Sequence, residues 1–327
     1  MNNYIVGYNP VSFILCFLLD NVKIIDVTPK YNIYDYHLSD LYLKPSADLF
    51  SFLSKLEIRY TEESYMAYFG FVNRIGPELP ENFVEIYNLY TRGKSFVEDE
   101  YQDQINQYIA YVSINNKGPY ESYVYLIKQL EKYVLENNLF IEGSLLSIEP
   151  GVVVLNDGDS LNYDRLIYTE DIESLDQILK GVSIKDFIFK HYYPEDVLKL
   201  NLPLHNKNVY VCENKSEVDL DMAHITHQIL YTGKPYFKKT YYGDRIIYEA
   251  TKKIFKKEID GNPILYDYET KIVKDNLDLN KICGIDLVGR LAQCYESLTI
   301  KDVILRCGKL NEKYYNDKKI KNLSLDS

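Results

Sequence analysis

Gly7, Asn9 and Ser12 stand at the spacing of a G-x-G-x-x-G turn, and Asp26 follows nineteen residues after Gly7. In such a turn the first glycine makes the bend, the second lets backbone approach a pyrophosphate, and the third lets a helix pack closely on the preceding strand. An acid about 20 residues on accepts hydrogen bonds from a ribose hydroxyl. Asparagine tolerates left-handed backbone and caps helices, proline suits the first helical position taken by Pro10, and Ser12 is one step larger than glycine or alanine. At Asn9, however, a Cβ faces the space a phosphate would fill. Two readings of these residues stay open: a nucleotide site with an altered turn, or a buried strand-helix-strand unit whose Asn caps the helix and binds nothing.

The elements that must position these residues are legible around them. Tyr4-Ile5-Val6 is strand-like, Val11 to Leu19 is an apolar run suited to a buried helix, and Val22 to Asp26 reads as a second strand. Ala47 to Leu56 has helical spacing, and so does the segment from Tyr120 through Val134. Short strands are expected at Leu139 to Ile141, Leu145 to Ile148, Val152 to Leu155 and Arg165 to Tyr168. Further on, strands at Asn208 to Cys212, Lys238 to Tyr242 and Arg245 to Tyr248 alternate with helical segments at Leu220 to Tyr231 and Ile300 to Cys307. The expected fold class is α/β, α+β overall: a Rossmann-like dinucleotide-binding domain with an inserted substrate domain. Residues 1–58, 117–172 and 275–327 would form the discontinuous nucleotide domain, 59–116 a helical insertion, and 173–274 a substrate domain built on a β-sheet.

Bulk properties exclude several classes. The net charge of −11 argues against nucleic-acid binding, because a phosphate backbone would be repelled. The longest early apolar run is too short to span a bilayer and lacks the basic flank of a signal peptide, which points to a cytoplasmic protein with no integral membrane segment. Five scattered cysteines without C-x-x-C spacing fit a reduced compartment and no structural zinc. His224 and His227 lie three apart on an expected helix, but no third or fourth ligand accompanies them, so no metal site is assigned.

Three separated segments resemble the FAD-dependent amine oxidase superfamily, and within it the UDP-galactopyranose mutase-like branch. The first runs from Ile5-Val6-Gly7-Tyr8-Asn9-Pro10-Val11-Ser12 to Ile25-Asp26. The second joins the helix from Tyr120 to Leu145-Leu146-Ser147-Ile148 and Tyr163-Asp164-Arg165-Leu166-Ile167-Tyr168-Thr169. The third is Gly284-Ile285-Asp286-Leu287-Val288-Gly289-Arg290 with the helix starting near Thr299. The resemblance implies FAD as cofactor: Gly7, Asn9, Pro10 and Ser12 at its pyrophosphate, Asp26 at the ribose, Leu145 near adenine and Thr169 at the domain edge. It also implies Gly289 and Arg290 near the flavin, with the helix N-terminus at Thr299 aimed at the flavin ring. Thr299 and Asp302 have the spacing of a capping box.

A small-molecule substrate, nucleotide-linked as in the mutases, would meet Arg92, Tyr241, Arg245 and Tyr248, because arginine pairs bidentately with phosphate. The sequence departs from the family in two of three fingerprint glycines. It also lacks the glycine pair that usually follows the ribose-binding acid, since Val27 to Asn32 contains none. These departures motivate an alternative, a degenerate flavoprotein fold without catalysis that serves as a binding or structural subunit with a protein partner.

Overall fold

The computed structural model describes residues 2–25, 42–71, 104–170, 172–181, 204–213, 215, 225–230, 237–242, 245–250, 256–259, 261–273, 281–290, 292–293 and 298–311. Asp26 and Arg92 lie outside them, as does His224.

The chain opens with β1 (Asn3–Val6), α1 (Pro10–Leu18) and β2 (Val22–Ile25). β1 and β2 pair in parallel, with Ile5 opposite Ile24. α1 is nucleated by Pro10 at its first position and by the Asn9 side chain, which accepts from the amides of Val11 and Ser12. Three further strands complete the parallel part of the sheet: β5 (Phe140–Ile141), β9 (Arg165–Tyr168) and β17 (Ile285–Leu287). β16 (Lys281–Ile282) adds an antiparallel edge, giving the order β16-β17-β9-β1-β2-β5. Numbered by first appearance, the parallel strands run 3-2-1-4-5, the doubly wound order in which a ligand sits outside the carboxyl ends of the strands where the order reverses. That switch point lies between β1 and β9.

Strand periodicity sorts the sheet's side chains into two cores. Ile5, Ile24 and Ile167 face a core shared with α1, α2 (Ala47–Lys55), α3 (Pro119–Glu136) and the helix of residues 300–311, here α5. Val6, Ile25, Leu166 and Tyr168 face the other way, onto α4 (Ile172–Ile178) and the antiparallel sheet of β6 (Leu145–Glu149), β7 (Val152–Leu155) and β8 (Ser160–Asn162). Both faces are covered, as a parallel sheet requires.

An eight-stranded sheet follows the order β14-β15-β10-β13-β12-β11-β3-β4. Its members are β3 (Tyr60–Phe71), β4 (Gln104–Ile114), β10 (Leu204–Glu213), β11 (Ile225–Leu230), β12 (Phe237–Tyr242), β13 (Arg245–Ala250), β14 (Glu258–Ile259) and β15 (Asn262–Val273). Neighbours pair antiparallel except β3 with β11. Alternation divides this sheet too: Val209, Val211 and Ile247 join the core of α1 and α3, while Tyr210, Cys212, Ile246 and Tyr248 form a separate cluster.

Two expectations are corrected here. The segment 59–116, expected to be helical, is strand at both described ends, with eleven successive pairs from Tyr60 opposite Ile114 to Gly70 opposite Gln104. Aromatic and β-branched residues at alternating positions favour pleated backbone over helix there. Residues 225–230 are likewise strand, so His227 lies on β11 rather than on a helix, and the helical reading of the histidine pair fails. Among the described residues no group of His, Cys, Asp and Glu could hold a metal ion. Among the same residues no helix is long and apolar enough to cross a membrane.

Candidate functional site: the crevice between two parallel strands

The switch point brings together the ends of β1 and β9. Gly7 leaves β1 at φ +112°, and a Cβ there would lie 2.6 Å from both Thr169 Oγ1 and Glu170 Oε1, so both the backbone and the space demand glycine. Its amide donates to Ile25 O, which fixes the turn against β2. Gly289, just past β17, has φ +124°, and a Cβ there would meet Thr169 O at 3.2 Å and the Val11 side chain. The glycines expected at the site are therefore the points where three chain segments approach most closely.

Asn9 has no solvent exposure, nor do Ser12 and Thr169. Their hydrogen bonds form a closed set. Thr169 has one hydroxyl proton, and Val6 O takes it at 2.7 Å. Thr169 Oγ1 therefore accepts from Asn9 Nδ2 at 2.9 Å and from Ser12 Oγ at 2.8 Å. The second amide proton of Asn9 goes to Glu170 Oε1 at 2.9 Å. Asn9 Oδ1 accepts from Val11 N at 3.0 Å and Ser12 N at 3.1 Å. Each polar valence of the Asn9 side chain is thereby used, and its orientation follows from its partners, since two amides need an acceptor and a carboxylate needs a donor. Asn9 itself has φ −155° and ψ 169°, an extended conformation open to any residue.

Glu170 was not foreseen from the sequence. Its only signal was an acid directly after the β9 strand, at the switch point, where it now stands over Gly7. Gln293 was also missed; its side chain accepts from Gly289 N at 3.1 Å and its own amide donates back to Gly289 O at 2.9 Å, which fixes the turn that Gly289 makes.

α5 begins at Thr299 with the expected capping box. Thr299 N and Oγ1 donate to Asp302 Oδ2 at 2.8 and 2.7 Å, and Asp302 N donates to Thr299 Oγ1 at 3.3 Å. Leu298 and Ile300 enter the same core as Val11, so this helix end is packed beside α1. Arg290 is half-buried next to Gly289. Leu145 opens β6 opposite Leu155 and is half-buried against the second core.

Of the four expected substrate residues, Arg92 lies outside the described residues, and Tyr241, Arg245 and Tyr248 lie on the paired strands β12 and β13. Tyr241 is on β12, between Thr226 and Ile246, and Arg245 opens β13 opposite Tyr242 and Glu213. As the expected hairpin requires, β12 and β13 pair antiparallel, with Tyr242 opposite Arg245. Tyr248, however, is a core residue: it is fully buried, accepts from Asn262 Nδ2 at 3.3 Å and donates to Ile259 O at 3.4 Å. Alternation sends it to the same face of the pleat as Ile246, where it packs with Tyr210.

No protein-family model matches the chain, and no curated protein matches its sequence. Solved structures do match its fold. A flavin-dependent halogenase from Brevundimonas sp. BAL3 aligns at a TM-score of 0.51 and 9% identity, over 96% of this chain and 72% of the other. Iminodiacetate oxidase from Chelativorans sp. BNC1 aligns at 0.50 and 12% identity, over 94% of both chains. A reduced UDP-galactopyranose mutase aligns at 0.49 and 10% identity, over 93% of this chain and 92% of that one, a score that carries no argument for that branch. The fold of this chain, a Rossmann-type parallel sheet joined to a large antiparallel sheet, is similar to that of the halogenase and the oxidase.

A dinucleotide fits this crevice in its backbone. Gly7 provides the bend that a side chain would block, and the C-terminal edge of β1 and β9 points at the expected ligand position. The capping box of α5 engages the amides of Thr299 and Asp302, leaving those of Ile300 and Lys301 outside it. The one departure is the Asn9 side chain, which holds the two amides at the start of α1.

Proposed function

We propose that the chain is a FAD-binding flavoprotein, an oxidoreductase or mutase-type enzyme acting on a small polar substrate, nucleotide-linked substrates included. The observation that carries this reading is the meeting of the Gly7 turn, Thr169 and Gly289 at the switch point of the doubly wound sheet. The full-length likeness to iminodiacetate oxidase supports it. In this reading residues 1–58, 117–172 and 275–327 hold the cofactor. The sheet of 173–274, extended by the strands of 59–116, carries the substrate side, with Arg92, Tyr241 and Arg245 as contacts. Asp26 binds the adenosine ribose, Leu145 lies by the adenine, and Arg290 neutralises phosphate or flavin charge. The mutase-like branch of the amine oxidase superfamily rests on the three sequence segments, and a cytoplasmic location on the short early apolar run and the scattered cysteines.

FAD, when bound, supplies the redox or nucleophilic chemistry. The chain's own contribution is to bind and orient: the α1 and α5 N-termini offer partial positive charge to a pyrophosphate and to an electron-rich ring. The test is to denature the purified protein and measure released flavin; about one equivalent per chain supports the reading, and its absence after reconstitution with FAD sinks it.

A second reading is favoured by the Asn9 cap. With Val11 N and Ser12 N already bonded, the fold can stand without a ligand and serve as a binding or structural subunit. Stoichiometric flavin released on denaturation excludes its cofactor-free form.

A further inference from the structure

We infer that Asn9 is a built-in competitor of the cofactor's pyrophosphate: its side chain occupies the phosphate position, and binding requires it to swing out. The inference rests on the FAD reading above and adds what regulates that site. Phosphate at the start of such a helix is held by the first free amides. In α1 the first position is Pro10, which has no N–H, and the next two amides, Val11 and Ser12, already donate to Asn9 Oδ1. The following amide, Phe13 N, donates to Asn9 O within the helix. No amide of the first turn is left for a phosphate oxygen while Asn9 is in place.

Swinging Asn9 out also strips a donor from Thr169 and from Glu170, since both are bonded to Nδ2 at 2.9 Å. The Glu170 carboxylate, over Gly7 and at the same helix end, would then face the incoming phosphate without the Asn9 hydrogen bond. The helix N-terminus thus has its own acceptor and its own anion nearby, and both compete with a ligand for the same partial charge. An aspartate at position 9 could cap equally well but could not donate to Thr169 or Glu170, which explains why the amide is used.

The experiment measures dissociation constants by calorimetry for FAD and for ADP-ribose, with melting temperatures, on the wild type, Asn9→Gly and Glu170→Gln. Asn9→Gly removes the competitor, and glycine at an N-cap costs the helix little. The expected result is FAD and ADP-ribose binding at least about ten-fold tighter in Asn9→Gly, with a lower melting temperature before ligand is added. Glu170→Gln keeps an acceptor for Asn9 and removes the charge, so it folds even if Asn9→Gly does not, and tightens binding several-fold. A wild type that binds nothing while Asn9→Gly binds supports the inference and favours the second reading of function. Binding by the wild type with equal or weaker binding by both variants overturns the inference and leaves the FAD reading intact. No binding by any of the three overturns both.

Discussion

Thr169 is the residue on which the crevice depends most. Its hydroxyl joins Val6 O, Asn9 Nδ2 and Ser12 Oγ, all within 2.9 Å and all buried. Thr169→Val keeps the side chain's shape and strands these partners, so a loss of about 3 kcal/mol is expected in urea unfolding. Ser12→Ala removes only one donor and should cost about 1 kcal/mol. A larger loss for Ser12→Ala than for Thr169→Val would contradict the assigned proton pattern. The same core holds two thiols. Burial, with Cys307 nearby, pushes Cys16 from 9.0 up to about 12, and burial likewise pushes Cys307 up to about 12, with Arg165 pulling weakly the other way. Folded Cys16 and Cys307 keep protons that the unfolded chain releases above pH 9. Their contribution to stability is therefore complete below that pH and is lost as pH rises toward 12. Peptide mapping after iodoacetamide treatment at pH 8 should label exposed Cys283, and Cys16 and Cys307 only in denaturant. Labelling of Cys16 in the native protein would contradict its place in the core.

At the scale of elements, β9, β17 and α5 are tied by Arg165. Its Nε donates to Asp286 at 3.0 Å, and a terminal nitrogen donates to Leu310 O at 3.2 Å, at the negative end of α5. Asp286 is almost fully buried, so removing only the cation leaves a buried charge. Arg165→Met should cost about 3 kcal/mol or more in chemical unfolding, and the double variant Arg165→Met/Asp286→Leu should recover most of that. Equal losses for the single and double variants would show that the pair adds net stability. Strands β1, β2, β5 and β9 of the doubly wound sheet were legible because each is a short apolar run, the first of them closed by Gly7, where only a few backbone conformations are allowed. The capping box was legible because Thr299 and Asp302 act within one helical turn. β3, β4 and β11 were not, because their pairing is between segments far apart in the chain, and local spacing does not report it. The Asn9 cap was legible because it is local, whereas Glu170 and the bonds of Asn9 Nδ2 to Thr169 and Glu170 were hidden, because they depend on β1 and β9 lying side by side.

Across the whole molecule, the parallel sheet places a crevice at its switch point, and the antiparallel sheet shares a core with α1 and α3 through Val209, Val211 and Ile247. The two sheets are therefore packed through the same helices that flank the crevice. The overall fold is similar to that of flavin-dependent enzymes at only 9 to 12% sequence identity. Fold alone does not carry chemistry, so the account stands or falls on the cofactor. The most direct measurement is the visible absorption spectrum of the purified protein, recorded as isolated and again after incubation with FAD and gel filtration. The account predicts flavin bands that travel with the protein at about one equivalent per chain, with a melting temperature raised by FAD. A colourless protein whose melting temperature FAD leaves unchanged would contradict it.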